Sequence, residues 1–143
     1  MGQQQLLLLV LGIVIVGLAV VVGIQAFGEN QKKANSDAMV NDGVRIASDA
    51  QAWKLKPAAF GGGADATNWT GLTFQQLGYE LGGNNCAATE YGNLNGCYAM
   101  GGQTSTDLVI TGKNTASANQ VVVTVTGTKP SNISTVVSNI ATT

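Results

Sequence analysis

The sequence predicts an α+β fold in which one long N-terminal helix is packed by a small antiparallel β-sheet head. Three observations support this fold class. The nineteen residues Leu6–Ile24 contain no charged side chain and no polar one. The segment from Glu29 to Lys56 then holds nine of the fifteen charged residues, at helical spacing and without proline. After Pro57, short runs alternate apolar and polar residues, which is typical of β-strands.

These patterns divide the chain into a helix over residues 1–56 and a globular, β-rich head over residues 57–143. The helix itself has an apolar segment, residues 1–28, and an amphipathic half, residues 29–56. A chain of 143 residues suffices for one domain rather than two. A head of this size buries a modest fraction of its surface, so a cross-link would stabilise it noticeably.

The apolar segment is long enough to cross a bilayer. Nineteen helical residues span about 28 Å, against a hydrocarbon core of roughly 30 Å. We predict that this segment resides in a membrane and also drives polymerisation. Its leucine, isoleucine and valine side chains are Leu6, Leu7, Leu8, Leu9, Val10, Leu11, Ile13, Val14, Ile15, Val16, Leu18, Val20, Val21, Val22 and Ile24.

Two other interpretations of the segment remain open. A cleaved secretory signal fits poorly, because MGQQQ carries no Lys or Arg and the helical pattern continues through Glu29. A permanent single-span anchor is the second. Lys32 and Lys33 would then favour a cytoplasmic C-terminal side, which conflicts with the disulfide predicted below.

Besides Gly2, the apolar segment contains four glycines, Gly12, Gly17, Gly23 and Gly28. Glycine permits close packing between membrane helices. It also costs about 1 kcal/mol of helix propensity, so these positions are candidates for local bending. The sequence is compatible with both roles.

An apolar stripe runs along the amphipathic half. Met39, Gly43, Ile46, Ala50 and Trp53 recur at four- and three-residue spacing, which places them on one helix face. We predict that a head-packing stripe contacts the sheet, with a coiled coil as the alternative. Its members are Met39, Val40, Val44, Ile46, Ala47, Ala50 and Trp53.

The head shows three strand signals, Gly96–Gly101, Thr106–Thr111 and Gln120–Gly127, separated by turn-forming clusters. They predict a three-stranded antiparallel meander with one apolar face. A short helical turn is expected over Thr73–Tyr79. At the end of the chain, Ser131 is a plausible N-cap for a short helix through Ile140. The β-branched residues there leave a fourth strand as the alternative.

Cys86 and Cys97 flank a loop rich in Gly and Asn, and a disulfide between them is the favoured interpretation. Such a bond would contribute on the order of 2–3 kcal/mol and would place the head outside the cytoplasm. Two free thiols are the alternative. A zinc site is disfavoured, because two cysteines without histidine supply only half of a tetrahedral ligand set.

The composition argues against enzymatic activity and metal binding. The chain has no histidine, which removes the commonest general base and the commonest transition-metal ligand. We therefore predict no enzymatic activity, no catalytic residue, no metal and no cofactor. A net charge of −1 and a pI near 5.1 predict no nucleic-acid partner. Two sequons, at Asn68 and Asn132, are candidate glycosylation sites.

The layout resembles the type IV pilin-like superfamily, which comprises bacterial type IV pilins and secretion-system pseudopilins. The resemblance is carried by the apolar run GQQQLLLLVLGIVIVGLAVVVG, its continuation into an amphipathic helix, and a small antiparallel sheet with a cysteine loop. The N-terminal portion is the specific part, whereas the head matches in architecture only.

The resemblance implies processing by a prepilin peptidase after a glycine, N-methylation, and export by a pilus assembly machinery. Gly2 then marks the processing site and leaves Gln3 first, unless Met1 is already the mature end. The sequence departs from the family in lacking a glutamate near the start of the apolar run. Gln5 or Leu7 takes that position, depending on which residue is first.

Resemblance and composition together predict a structural, major pilin-like subunit. Its partners would be copies of itself in an extracellular helical filament on a bacterial cell surface. Before assembly it would sit in the inner membrane with a periplasmic head. The alternatives are a pseudopilin of a type II-like secretion system and a membrane-anchored extracellular binding module.

Overall fold

A computed structural model describes residues 2–64 and 67–139. One α-helix, α1, spans Gly2–Leu55, and five strands follow it. Short 3-10 turns lie at Ala58–Phe60, Gly83–Asn85 and Pro130–Asn132. The chain forms two compact units, Met1–Lys33 and Ala34–Thr143, and α1 contributes to both.

The end of α1 follows from local chemistry. Lys56 precedes Pro57, and a residue before proline is disfavoured in the α region. The chain then turns at Gly61, whose φ of +81° is left-handed and suits glycine. Gly63 lies against the Trp53 ring so closely that a Cβ there would sit 2.3 Å from it.

The sheet is an antiparallel meander in which every strand pairs with its neighbour in sequence. The strands are β1 (Tyr91–Gly92), β2 (Cys97–Gly101), β3 (Leu108–Asn114), β4 (Asn119–Val125) and β5 (Ile133–Asn139). The predicted α+β class, a long helix followed by an antiparallel sheet, is confirmed.

Burial alternates along the central strands. In β4, Val121, Val123 and Val125 are buried, whereas the intervening Val122 and Thr124 are only half-buried. Ile110 of β3 pairs with Val123 and shares its face, as the two-residue period of a strand requires. This apolar face joins buried residues of α1 in one core.

The helix approaches the sheet closely at Gly43. A Cβ there would lie 2.7 Å from Val123 Cγ2, so the absent side chain allows close contact. The core residues are Met39, Ile46, Ala47, Ala50, Trp53, Trp69, Leu72, Phe74, Tyr98, Leu108, Ile110, Val121, Val123 and Val125.

The predicted final helix is wrong, and its alternative, a further strand, is observed. Residues Ile133–Asn139 form β5, which pairs with β4 from Val125 to Asn119. The reason is that β-branched side chains suit a pleated strand. In addition, β4 provides backbone pairing partners along the whole length of β5. The two-residue strand β1 was not predicted either, because two residues carry no detectable alternation.

Candidate functional site

The apolar segment of α1 presents its side chains to solvent all around the helix. The fifteen predicted polymerisation residues, from Leu6 to Ile24, are each between 51 and 71% exposed. Phe27 is more exposed still. A helix that is apolar on every side requires an apolar environment, either a bilayer or other protein surfaces.

A shallow apolar groove runs along part of this segment. It lies between two rows of residues spaced four apart, and the rows are Leu8–Gly12–Val16 and Leu9–Ile13–Gly17. Grooves between such rows are where the ridges of a second helix insert. Each row contains a glycine, which contributes no side chain to the groove wall and lets a neighbouring backbone approach.

The four candidate bending positions, Gly12, Gly17, Gly23 and Gly28, all lie within α1, which continues unbroken through them. A Cβ at Gly12, Gly17, Gly23 or Gly28 would meet no atom within 4 Å. Within the chain itself, therefore, no described neighbour requires glycine at these positions.

Within the described residues, α1 is the one helix long and apolar enough to cross a membrane, judged by length and composition. Its most apolar window has a mean hydropathy of 3.2 and is not buried inside the protein.

The head-packing stripe divides into core and flank. Met39, Ile46, Ala47, Ala50 and Trp53 belong to the buried core, and Val40 packs against it. Val44 is half-buried. The Trp53 indole N–H donates to the carbonyl oxygen of Gly61 (3.0 Å) and to Gln76 Oε1 (2.7 Å), so its polar end is satisfied.

A buried glutamine, Gln51, lies beside the stripe and was not predicted. Its amide nitrogen donates to the carbonyl oxygens of Gly127 (2.8 Å) and Lys129 (2.9 Å). These bonds fasten the segment between β4 and β5 to the helix. A polar residue on the edge of an apolar stripe gives no sequence signal of such partners.

A second set of contacts, also not predicted, comes from polar residues of α1 spaced seven apart. Asp42 Oδ2 accepts hydrogen bonds from Asn93 Nδ2 (2.8 Å), Asn95 Nδ2 (2.6 Å) and the Tyr98 hydroxyl (3.0 Å). The Asn35 side chain donates to the Asn95 carbonyl oxygen (3.0 Å).

Asn35 also reaches the turn between β3 and β4. Its Oδ1 accepts from the Ser117 hydroxyl (2.7 Å) and from Asn119 Nδ2 (3.1 Å). Seven-residue spacing, from Asn35 to Asp42 and Asp49, was the available signal, since it places all three on one helix face.

Asp49 lies a further seven residues along α1, and its Oδ2 accepts a hydrogen bond from the Tyr79 hydroxyl. Burial first, and then the Asp49 carboxylate, raise the pKa of Tyr79. Burial and the charge of Asp42 likewise raise the pKa of Tyr98. Both tyrosines belong to a ring cluster with Tyr91, whose centroid lies 4.7 Å from that of Tyr79 and 5.9 Å from that of Tyr98.

The predicted disulfide is confirmed: Cys86 and Cys97 are bonded, with Cα atoms 5.5 Å apart. The bond joins the Gly83–Asn85 turn to β2 and encloses β1. Glu90 lies near both sulfurs. Because the sulfurs are bonded to each other, they are not thiolate ligands, and this trio does not form a metal site in the oxidised protein.

The two sequons occupy different environments. Asn68 Oδ1 accepts from the Thr70 backbone N–H (3.1 Å), and its amide nitrogen reaches the Thr104 carbonyl oxygen at 3.5 Å. Asn132 is engaged in the turn before β5, where its Oδ1 accepts from the Lys129 N–H (3.2 Å). The amide nitrogen of Asn132, to which a glycan would be attached, donates to Thr126 Oγ1 (3.3 Å).

The predicted processing site lies at the start of α1. Gly2 and Gln3 are exposed residues of the helix, whereas Met1 lies outside the described residues. The helix around them carries no acidic residue in its first turn.

The edge strand β5 is the most exposed part of the sheet. Six of its seven residues are exposed, and Val136 and Val137 are among them. None of the seven carries a charge. Within residues 2–64 and 67–139 its only strand neighbour is β4, so it offers unpaired backbone groups to a partner.

Fold and surfaces together define a class: an α+β protein with an uncovered apolar N-terminal helix and a disulfide-linked antiparallel head. Comparison with protein-family models, with curated proteins and with solved structures finds no match.

Proposed function

We propose that this chain is a structural subunit of an extracellular helical filament, similar to a major pilin, and that it polymerises through its apolar N-terminal helix. The observation that carries the proposal is the exposure of all fifteen Leu, Ile and Val side chains between Leu6 and Ile24. Each fully buried aliphatic side chain of this size gains about 1.5–3 kcal/mol over its exposed state. The segment therefore has a large driving force toward an apolar environment.

A bilayer and a bundle of identical helices both satisfy that requirement, and the proposal uses them in succession. The subunit first resides in the inner membrane, and the same apolar surface of α1 then packs against other copies during assembly. The groove between the Leu8 and Leu9 rows supports this second environment, because its two glycines allow close helix–helix approach.

The head supports an extracytoplasmic location and an assembled state. Its disulfide suits an oxidising compartment. Its edge strand β5 is exposed, uncharged and free of lysine and proline, the residues that usually prevent strands from pairing with other chains.

Truncation tests the proposal. Removal of Leu6–Ile24 is expected to leave a soluble head that forms no filaments, while the full-length protein expressed with its assembly machinery forms them. A matched full-length variant, Ser48→Asp, alters an exposed residue of α1 outside the segment and should still assemble. Filaments formed by the truncated protein would refute the proposal.

The same preparations separate the alternatives. Short assemblies confined to the cell envelope, without surface filaments, would favour a pseudopilin. Detergent extracts that contain only monomers, from cells without any filament, would favour a membrane-anchored binding module.

A further inference from the structure

The chain contains two dipeptides that are prone to spontaneous rearrangement, and their side chains contact each other. Asn95–Gly96 is the only Asn-Gly pair in the sequence, and Asp42–Gly43 is the only Asp-Gly pair. Asn95 Nδ2 donates to Asp42 Oδ2 at 2.6 Å. We propose that Asn95 is a latent deamidation site that Asp42 holds inactive. This inference does not depend on the proposed function.

Packing favours glycine at both positions, so neither labile dipeptide can be removed by substituting its glycine without cost. A Cβ at Gly96 would lie 2.6 Å from the backbone oxygen of Lys113, which cannot move freely. A Cβ at Gly43 would lie 2.7 Å from Val123 Cγ2 in the core. Glycine following Asn or Asp offers the least steric hindrance to attack by its nitrogen.

The reaction at Asn95 begins with attack by the backbone nitrogen of Gly96 on the side-chain carbonyl carbon of Asn95. A new N–C bond closes a succinimide ring, the C–Nδ2 bond breaks, and ammonia leaves with the proton from Gly96. Water then opens the ring and gives aspartate or isoaspartate. One water is consumed and one ammonia released, and no oxidant or reductant is needed.

The structure blocks each reacting group. The leaving amide of Asn95 is held by Asp42, and the attacking Gly96 N–H donates to Asn93 Oδ1 (3.1 Å). The Asn95 N–H donates to the same oxygen (2.9 Å). The Asn95 carbonyl oxygen accepts from Asn35 (3.0 Å) and Asn114 (2.6 Å), so the residue is fixed on both sides.

Conversion of Asn95 would break the contact that prevented it. The new carboxylate would face the Asp42 carboxylate within hydrogen-bonding distance and repel it. The loop between β1 and β2, which carries the 92% exposed Leu94, would then lose one of its attachments to α1. The modification thus acts as an irreversible change in the surface of the head.

The first test measures deamidation by peptide mapping of full-length protein in detergent, incubated at mildly alkaline pH. In denaturant, Asn95 should convert faster than any other asparagine. In the folded protein, Asp42→Ala should accelerate conversion at Asn95 about tenfold, because it removes a charge-assisted hydrogen bond and allows the loop to open. Asp49→Ala removes the equivalent carboxylate near Tyr79 and should leave the rate at Asn95 unchanged. Equal rates at Asn95 in all three folded proteins would overturn the proposal.

A second test applies if Asp42→Ala fails to fold, in which case every asparagine would convert faster together. Asn95→Asp mimics the product and should lower the thermal unfolding midpoint. The double variant Asn95→Asp with Asp42→Asn exchanges donor and acceptor and should restore much of that loss. An Asn95→Asp protein as stable as the wild type, or a double variant no more stable than Asn95→Asp, would contradict the proposal.

Discussion

Asn35, Asp42 and Asp49 show how single polar residues position the head. Each accepts hydrogen bonds from a different part of it: the β3–β4 turn, the loop before β2 with Tyr98, and Tyr79. Hydrogen bonds to a charged group contribute about 1.5–3 kcal/mol each, more than neutral ones. The apolar stripe thus provides burial, and the adjacent polar row determines how the loops lie against the helix.

The tyrosines that contact this row predict alkaline sensitivity. Burial and Asp42 raise the pKa of Tyr98 above the ordinary value of about 10. The folded state therefore keeps its proton while the unfolded state loses it. The resulting stability is fully present below about pH 10 and is lost as the pH rises through the raised pKa.

Denaturant unfolding of wild-type protein and Tyr98→Phe over an alkaline pH series tests whether Tyr98 causes this loss of stability. The variant should be less stable near neutral pH, because it lacks the bond to Asp42, but its stability should fall less steeply above about pH 10. Identical slopes in the two proteins would contradict the assignment.

Gln51 makes a second residue-level prediction. Replacing it by alanine leaves the carbonyl oxygens of Gly127 and Lys129 without that donor, so we expect a loss of about 1–3 kcal/mol in the free energy of unfolding. Ser48→Ala, one turn away at an exposed position, should change stability by less than about 0.5 kcal/mol. Chemical denaturation gives the free energy of unfolding of both variants, and equal losses would count against a specific role for Gln51.

At the scale of elements, the contact between α1 and β4 depends on Gly43. Gly43→Val should overpack the core against Val123 and cost about 1–3 kcal/mol. The same substitution at Gly28, where a Cβ meets no atom within 4 Å, should be neutral or slightly stabilising through helix propensity. Thermal unfolding of the two variants tests the difference. Similar destabilisation by both would argue against close helix–sheet packing.

The disulfide stabilises the region around β1. Replacing Cys86 and Cys97 together by serine should lower the free energy of unfolding by about 2–3 kcal/mol, because the unfolded chain regains the freedom of the loop. Wild-type protein treated with reductant is the chemical control and should unfold at the same denaturant concentration as the double variant. An unchanged midpoint in both would mean that the loop is already fixed by other contacts.

Elements with strong periodicity were predictable from the sequence, and those determined by tertiary partners were not. The spacing of Met39, Ile46 and Trp53 indicated the buried face of α1, and alternation at Val121, Val123 and Val125 indicated β4. The residues of β5 carry apolar spacing compatible with a helix, and only pairing with β4 decides their conformation. The bonds of Gln51 and Asp42 connect residues more than fifty positions apart, which no local pattern reports.

For the whole molecule, the two compact units make different demands on their surroundings. Unit Ala34–Thr143 contains its own core. In unit Met1–Lys33, the described residues 2–33 are helical, and their large apolar side chains remain exposed. We infer that the apolar side chains of this N-terminal unit become buried against other molecules, first lipid and then copies of the chain.

A charge in the apolar segment should block that burial. Ile15→Asp introduces a carboxylate among aliphatic side chains, where an unpaired charge costs several kcal/mol. We expect filaments to be lost while the disulfide-linked head stays folded, as judged by its denaturation profile. Val136→Asp, a charge on the exposed strand β5, separates the role of the helix from that of the sheet edge.

Electron microscopy of wild-type protein and Ile15→Asp, each produced with its assembly machinery, tests whether the apolar helix drives polymerisation. Helical filaments are expected from the wild type, with the Leu6–Ile24 helices bundled in the filament core, and none from the variant. Filaments of normal appearance from Ile15→Asp, or wild-type protein that remains monomeric in the membrane under the same conditions, would contradict this role of the helix.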